Sequence, residues 1–192
     1  MLYHSSTEKS INAILDNGIE EIKLPTIDSL TNGTAKGIGS YGVGFYGYLD
    51  DAKLSKYFFH HKLKNNKYRK AYTIRFNIRE TKENVLNLVN DIDDMKFFNM
   101  FWSDEEVQDI LKKLENEYSD GKYLKRLQGA LIEYYILKLE DEQKMSHVKA
   151  VEGSSITRRD HNKEITIPDG IEYCIRDKSI VDSKSIKFVE GV

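Results

Sequence analysis

A chain of 192 residues with 40 % hydrophobic and 31 % charged side chains is long enough to bury a core of its own, and predicts one globular domain. Its 29 basic and 31 acidic residues leave a net charge of −2, which excludes a global pull toward nucleic acid or acidic membrane and leaves only local patches for that purpose. The single cysteine, Cys174, excludes an intrachain disulfide and suits a reducing compartment.

The first expected element is a short strand at residues 2–4, which leaves no room for a signal peptide. No apolar run nears the roughly 20 residues that span a bilayer, so the expected location is the cytoplasm, away from membranes. Residues 7–17 predict a helix with Ile11, Ile14 and Leu15 on one face, Ser6 or Thr7 as its cap, and Gly18 at its left-handed end. Residues 22–40 read as loop, with Pro25, Asn32-Gly33 and Gly37-x-Gly39. A strand at 43–48 and a helix at about 50–64 follow, with Asp50 or Asp51 at the positive helix end.

Clean alternation over 71–79 predicts a half-buried strand, and Val85–Leu88 a shorter one. Ser103-Asp104-Glu105-Glu106 is a capping-box pattern expected to open a helix running to about 118. After Asp120-Gly121 a second helix is expected over 122–139, then strands at 147–151, 171–176 and 185–190. These elements compose one α+β domain with a helical insertion near 92–140. The stripe Phe97-Phe98-x-x-Phe101-Trp102 reads as packing of that insertion, and His60-His61 as adjacent residues on a solvated helix rather than a metal pair, so no metal is expected.

Glycine is concentrated ahead of the second strand, ending in Gly42-Val43-Gly44-Phe45-Tyr46-Gly47, with Tyr57 eleven residues past Tyr46. Glycine admits close approach of a ligand to main chain, and it equally suits a tight turn. A histidine lies near the N-terminus in Tyr3-His4-Ser5-Ser6, and a carboxylate near the C-terminus in Glu172-Tyr173-Cys174-Ile175-Arg176-Asp177. No Gly-Lys-[Ser/Thr] follows the glycines, so a Walker phosphate loop is absent.

Taken in order, these three segments resemble the ADP-ribosyltransferase superfamily, in the branch shared by diphtheria toxin and the poly(ADP-ribose) polymerases, whose signature is His–Tyr–Glu on three strands. Ile11-x-x-Ile14-Leu15-x-x-Gly18-Ile19 is similar to that superfamily's opening helix. The resemblance implies a split, twisted β core and cleavage of the nicotinamide–ribose bond of NAD, the expected co-substrate. It implies that Glu172 stabilises the cationic ribose and holds its 2′-hydroxyl, as a carboxylate does in glycoside hydrolysis. It further implies that His4 holds a ribose hydroxyl, that main chain at Ser5 and Ser6 meets the nicotinamide amide, and that Tyr46 and Tyr57 sandwich the ring beside Gly42 and Gly44.

Two positions depart from the family. Ser5 stands where glycine is common, and Leu54 stands where the polymerases carry a serine that binds the carboxamide; Ser55 is the neighbouring candidate for that bond. The arginine-bearing branch fits poorly, because the N-terminal strand has no arginine and Gly170 precedes Glu172 by two. The resemblance thus implies mono-ADP-ribosylation of a macromolecular acceptor, protein or nucleic acid, by a bacterial or phage toxin, effector or defence protein, with an antitoxin or inhibitor protein as a further partner. The polar segment Ser154–Lys163, with Arg158 and Arg159, corresponds to the family's acceptor loop and reads equally as a solvated loop. NAD glycohydrolysis, a catalytically silent NAD-binding module, and an interaction protein using the Phe97–Trp102 stripe stay open.

Overall fold

The apolar–polar alternation over residues 71–79 produces the strand it predicts, with Thr73, Ile74 and Phe76 buried. The computed structural model describes residues 1–61, 70–79, 81–119, 124–155 and 168–190. In chain order, β1 (Leu2–Ser6) leads to α1 (Glu8–Asn17), whose Thr7 cap accepts from the Ser10 amide. Gly18 follows at φ 77°, and its N–H bonds the Ile14 carbonyl. A short α2 (Ile27–Thr31) interrupts the segment expected to be loop. Thr26 and Ser29 cap each other's backbone there, serine standing where glutamate is usual, and Leu30 anchors the turn in the core.

The strand expected at 43–48 is divided at Gly44. Gly42–Val43 (β3) pairs back on Ile38–Gly39 (β2) as a hairpin, while Phe45–Leu49 (β4) joins the main sheet. The division falls where the backbone of Ile175 comes so close that a side chain at 44 would strike its carbonyl. Next come α3 (Ala52–His61), β5 (Tyr72–Ile78) and β6 (Val85–Asn87).

Three helices fill the insertion: α4 (Ile92–Ser103), α5 (Gln108–Tyr118) and α6 (Leu124–Asp141). The expected capping box at Ser103 is displaced. Ser103 ends α4, and Asp104 instead caps a 3-10 turn at Glu105–Val107 before α5 begins. The aromatic stripe is the reason: Phe98 and Phe101 meet Tyr135 edge-on at 5.2 and 5.1 Å, fastening α4 along α6 as far as Trp102. Strands β7 (Ala150–Ser155), β8 (Gly170–Ile175) and β9 (Val181–Val189) close the chain, so Ser154 and Ser155 belong to a strand rather than to a polar loop. Residues 62–64, 120–123 and 156–163, which also carry expected elements, lie outside the described residues.

The main sheet has the order β6-β7-β8-β4-β1-β5-β9, antiparallel except for the β6–β7 pair, which makes the protein α+β with a mixed seven-stranded sheet among the described residues. One face buries Leu2, Phe76, Tyr173 and Ile175. The other carries Val151 and Cys174 beneath Ile132, Tyr135 and Ile136 of α6.

Packing of α6 on the hairpin is close enough that a side-chain carbon at Gly129 would overlap the Gly39 carbonyl. Gly→Ala in a helix interior ordinarily gains about 1 kcal/mol. Gly129→Ala is expected to reverse that sign, lowering stability by about 1–3 kcal/mol because backbone, not a flexible side chain, must yield; urea denaturation measures it.

An ion pair locks the same region. Glu133 of α6 and Arg176, just past β8, have fully buried side chains with Nη2 to Oε2 at 3.0 Å. Glu133 also accepts from the Val43 amide of the hairpin at 2.7 Å, and Arg176 donates to the Val148 carbonyl at 2.6 Å. Gly42, at φ 108°, leaves room for that carboxylate where a side chain would collide with it.

Candidate active site

Sheet order brings the three motif segments together. β8, β4 and β1 are consecutive strands, so Glu172, Tyr46 and His4 lie on neighbours although the chain separates them widely. The register pairs Tyr48 with Glu172 and Tyr46 with Cys174, placing these four side chains on one face. Tyr3, paired with Tyr48, shares that face with Ser5; His4 points to the other, where its ring lies 4.3 Å from that of Phe45.

β1 and β4 pair only at Leu2–Leu49 and Tyr3–Tyr48, whereas β1 stays paired with β5 as far as Ser6–Tyr72. The sheet therefore splits between β1 and β4 beyond Tyr3. The Asp50 amide donates to the Met1 carbonyl at 2.8 Å, and in an alternating ladder this turns the main chain of Met1, Tyr3 and Ser5 toward β4. The N–H and C=O of Ser5 consequently face the opening. The same alternation turns the Tyr46 carbonyl toward β1, where it accepts from His4 Nδ1 at 2.8 Å.

That bond settles the histidine's chemistry. A carbonyl only accepts, so Nδ1 carries the proton and Nε2 is left as an acceptor in the neutral ring. Burial lowers the His4 pKa to about 4, against the opposing pull of the Tyr46 carbonyl. Because the folded value lies below 6.5, stability is lost as pH falls from about 6.5 toward 4. A His4→Asn variant, which keeps a donor for Tyr46, is expected to flatten the dependence of Tm on pH across that window, as followed by circular dichroism.

Glu172 is 2 % exposed. Ser40 of the hairpin turn donates to its Oε1, and Tyr48 hydrogen-bonds to it as well. Burial raises its pKa; the Ser40 bond, the Lys125 ammonium and the Tyr48 bond act against that rise. A buried carboxyl with hydroxyl donors and one distant cation is the kind of perturbed acid found where chemistry is done.

The remaining expected residues divide by what they touch. Tyr46 donates its hydroxyl to the Gly42 carbonyl at 2.8 Å and accepts from the Tyr41 amide at 3.0 Å, so its phenol secures the hairpin, and its ring packs into the core beneath α6. Ser55 of α3 donates to Ser5 Oγ at 2.9 Å, and Ser5 Oγ meets Thr73 Oγ1 at 2.8 Å, a buried hydroxyl chain tying α3, β1 and β5. The Ser55 hydroxyl thus clamps β1 in place. Leu54 packs over Gly170, two residues before Glu172, and Tyr57 stands one turn further along α3 on the same flank. Ser6 closes β1 opposite Tyr72, Gly42 lies against Glu133, and Gly44 lines the opening.

A groove of about 690 Å³ runs from His4, Gly44 and Phe45 along α1 to Ile22. That is within the 300–1,000 Å³ usual for small-molecule sites.

Two contributors escaped the sequence reading. Tyr48 shares the face of Tyr46 two residues on, so strand alternation was the available signal. Ser40 sits in a turn, and no local pattern pairs it with a residue 132 positions away. Comparison of the chain with family models, curated proteins and solved structures returns no match.

Proposed function

We propose that this protein is an NAD-dependent mono-ADP-ribosyltransferase whose split β-sheet holds NAD between β1 and β4. The observation that carries the reading is the opening of the sheet one strand away from the buried Glu172, with the Ser5 main chain and the His4 imidazole on its edge.

Each group has work matched to its geometry. The Ser5 N–H and C=O offer one donor and one acceptor, the complement of a carboxamide. His4 Nε2 accepts from a ribose hydroxyl, and a neutral ring suits that role through the physiological range. The Glu172 carboxylate stabilises positive charge developing at the ribose, and its burial strengthens that attraction over its value in water. Ser40 and Tyr48 hold the carboxylate in one orientation. The groove beside His4 has space for the adenosine half of the dinucleotide.

NAD labelled in its adenylate, incubated with the purified protein and cell lysate, tests the reading. Nicotinamide release with label on macromolecules is expected. Free ADP-ribose as the sole product marks a glycohydrolase, and NAD binding without nicotinamide release marks a silent binding module.

A further inference from the structure

Apart from the Lys125 ammonium, the insertion helices have no part in the NAD reading, yet α4 and α6 wall a second groove, of about 350 Å³, linked to Glu172 through Ser40. Ser40 lines it and donates to the Glu172 carboxylate. Tyr41 lines it too, its ring lying over Gly153, the register partner of Glu172 on β7; a side chain at 153 would overlap that ring. The split between β1 and β4 lies toward the opposite side of Glu172 in the strand order. In the strand order the buried carboxylate therefore lies between the groove, over β7, and the split, beyond β4.

We propose that this second groove receives the acceptor, and that the acceptor is a nucleobase of a single-stranded nucleic acid. The transfer step rests on the NAD reading above; the binding claim does not. Met95, Phe98 and Ile132 give apolar surface, and Phe98 and Tyr41 supply aromatic rings. Asn99 and Gln128 add uncharged amides, each carrying donors and an acceptor, which suits the mixed edge of a base. Among the described lining residues no carboxylate is present to receive a guanidinium or ammonium acceptor, and the one cation, Lys125, is exposed, positioned for a flanking phosphate. A base held in a duplex stack is not free to turn into a groove walled by two helices, which selects single strands.

In the step itself, a ring or exocyclic nitrogen of the base forms a bond to ribose C1′ as the C1′–nicotinamide bond breaks. The electron pair of the broken bond goes to the nicotinamide nitrogen, neutralising the ring. The proton of the attacking nitrogen passes to the Glu172 carboxylate and on to water.

Fluorescence anisotropy with labelled single strands of about 12 nucleotides, DNA and RNA, against the full chain tests the binding. One or both are expected to bind at least tenfold more tightly than the matching duplex. Gln128→Ala and Lys125→Gln, both at exposed positions, are expected to weaken binding about tenfold at nearly unchanged Tm. Equal binding of single strand and duplex, or wild-type binding by both variants, overturns the proposal. With NAD added, a mass increase on the bound strand supports it, and label confined to protein overturns it. Should NAD stay intact throughout, the NAD reading fails while the anisotropy still decides the groove.

Discussion

Glu172→Gln is expected to lower nicotinamide release from NAD by about 10²–10³-fold while leaving Tm unchanged or raised. The loss follows from removing the one charge placed to meet a cationic ribose, and preorganised groups of this kind carry effects of that size. Glutamine keeps an acceptor for Ser40 and Tyr48, so the surroundings stay in place. The stability effect follows from the raised pKa. As pH rises from about 4.5, the unfolded chain releases this proton before the folded one does, so stability is lost through that window and stays lost above it. The glutamine variant carries no such loss. Release within threefold of wild type, in a steady-state assay, would sink the catalytic assignment; a large drop in Tm would show that Glu172 is structural.

Glu133→Ala is expected to destabilise the fold by about 3–5 kcal/mol, the cost of leaving a buried charge without its partner. At about 2–4 °C per kcal/mol for a domain of this size, Tm falls by roughly 6–20 °C. Three elements depend on this carboxylate: α6, which carries it; the hairpin, whose Val43 amide donates to it; and the end of β8, whose Arg176 is buried against it. Glu140 offers Arg176 a second, more distant carboxylate at 3.6 Å, too far to replace the lost bonds. The double variant Glu133→Leu/Arg176→Met removes both charges and is expected to recover a large part of the loss, though the Val43 amide stays without its acceptor. Differential scanning calorimetry on the single and double variants separates the cases. A single variant as stable as wild type would remove the pair from the account of the fold. Because the hairpin carries Ser40, the Glu133→Ala change is also expected to reduce activity indirectly.

How much of this was legible beforehand differs by element. Local signals placed β1, α1 and β5, because a helix stripe or a strand alternation is written in consecutive residues. They failed at α2, whose serine-for-glutamate capping box lies in polar sequence. The strand expected across Gly44 broke in two because its halves pair with different partners, Ile38–Gly39 and β8. The three motif segments were visible as separate patches, each ambiguous alone.

From composition and motif order the chain determined an α+β domain without a disulfide, and three short segments bearing a histidine, tyrosines and a glutamate. Among the described residues no helix is long and apolar enough to cross a membrane. Only the tertiary structure decided that those segments occupy adjacent strands, that the sheet parts at His4, and that Ser40 and Tyr48 hydrogen-bond to Glu172. The physical reason is range. Periodicity and capping act over a few residues, whereas strand pairing, burial and the shift of a carboxyl's pKa depend on groups brought together from across the chain.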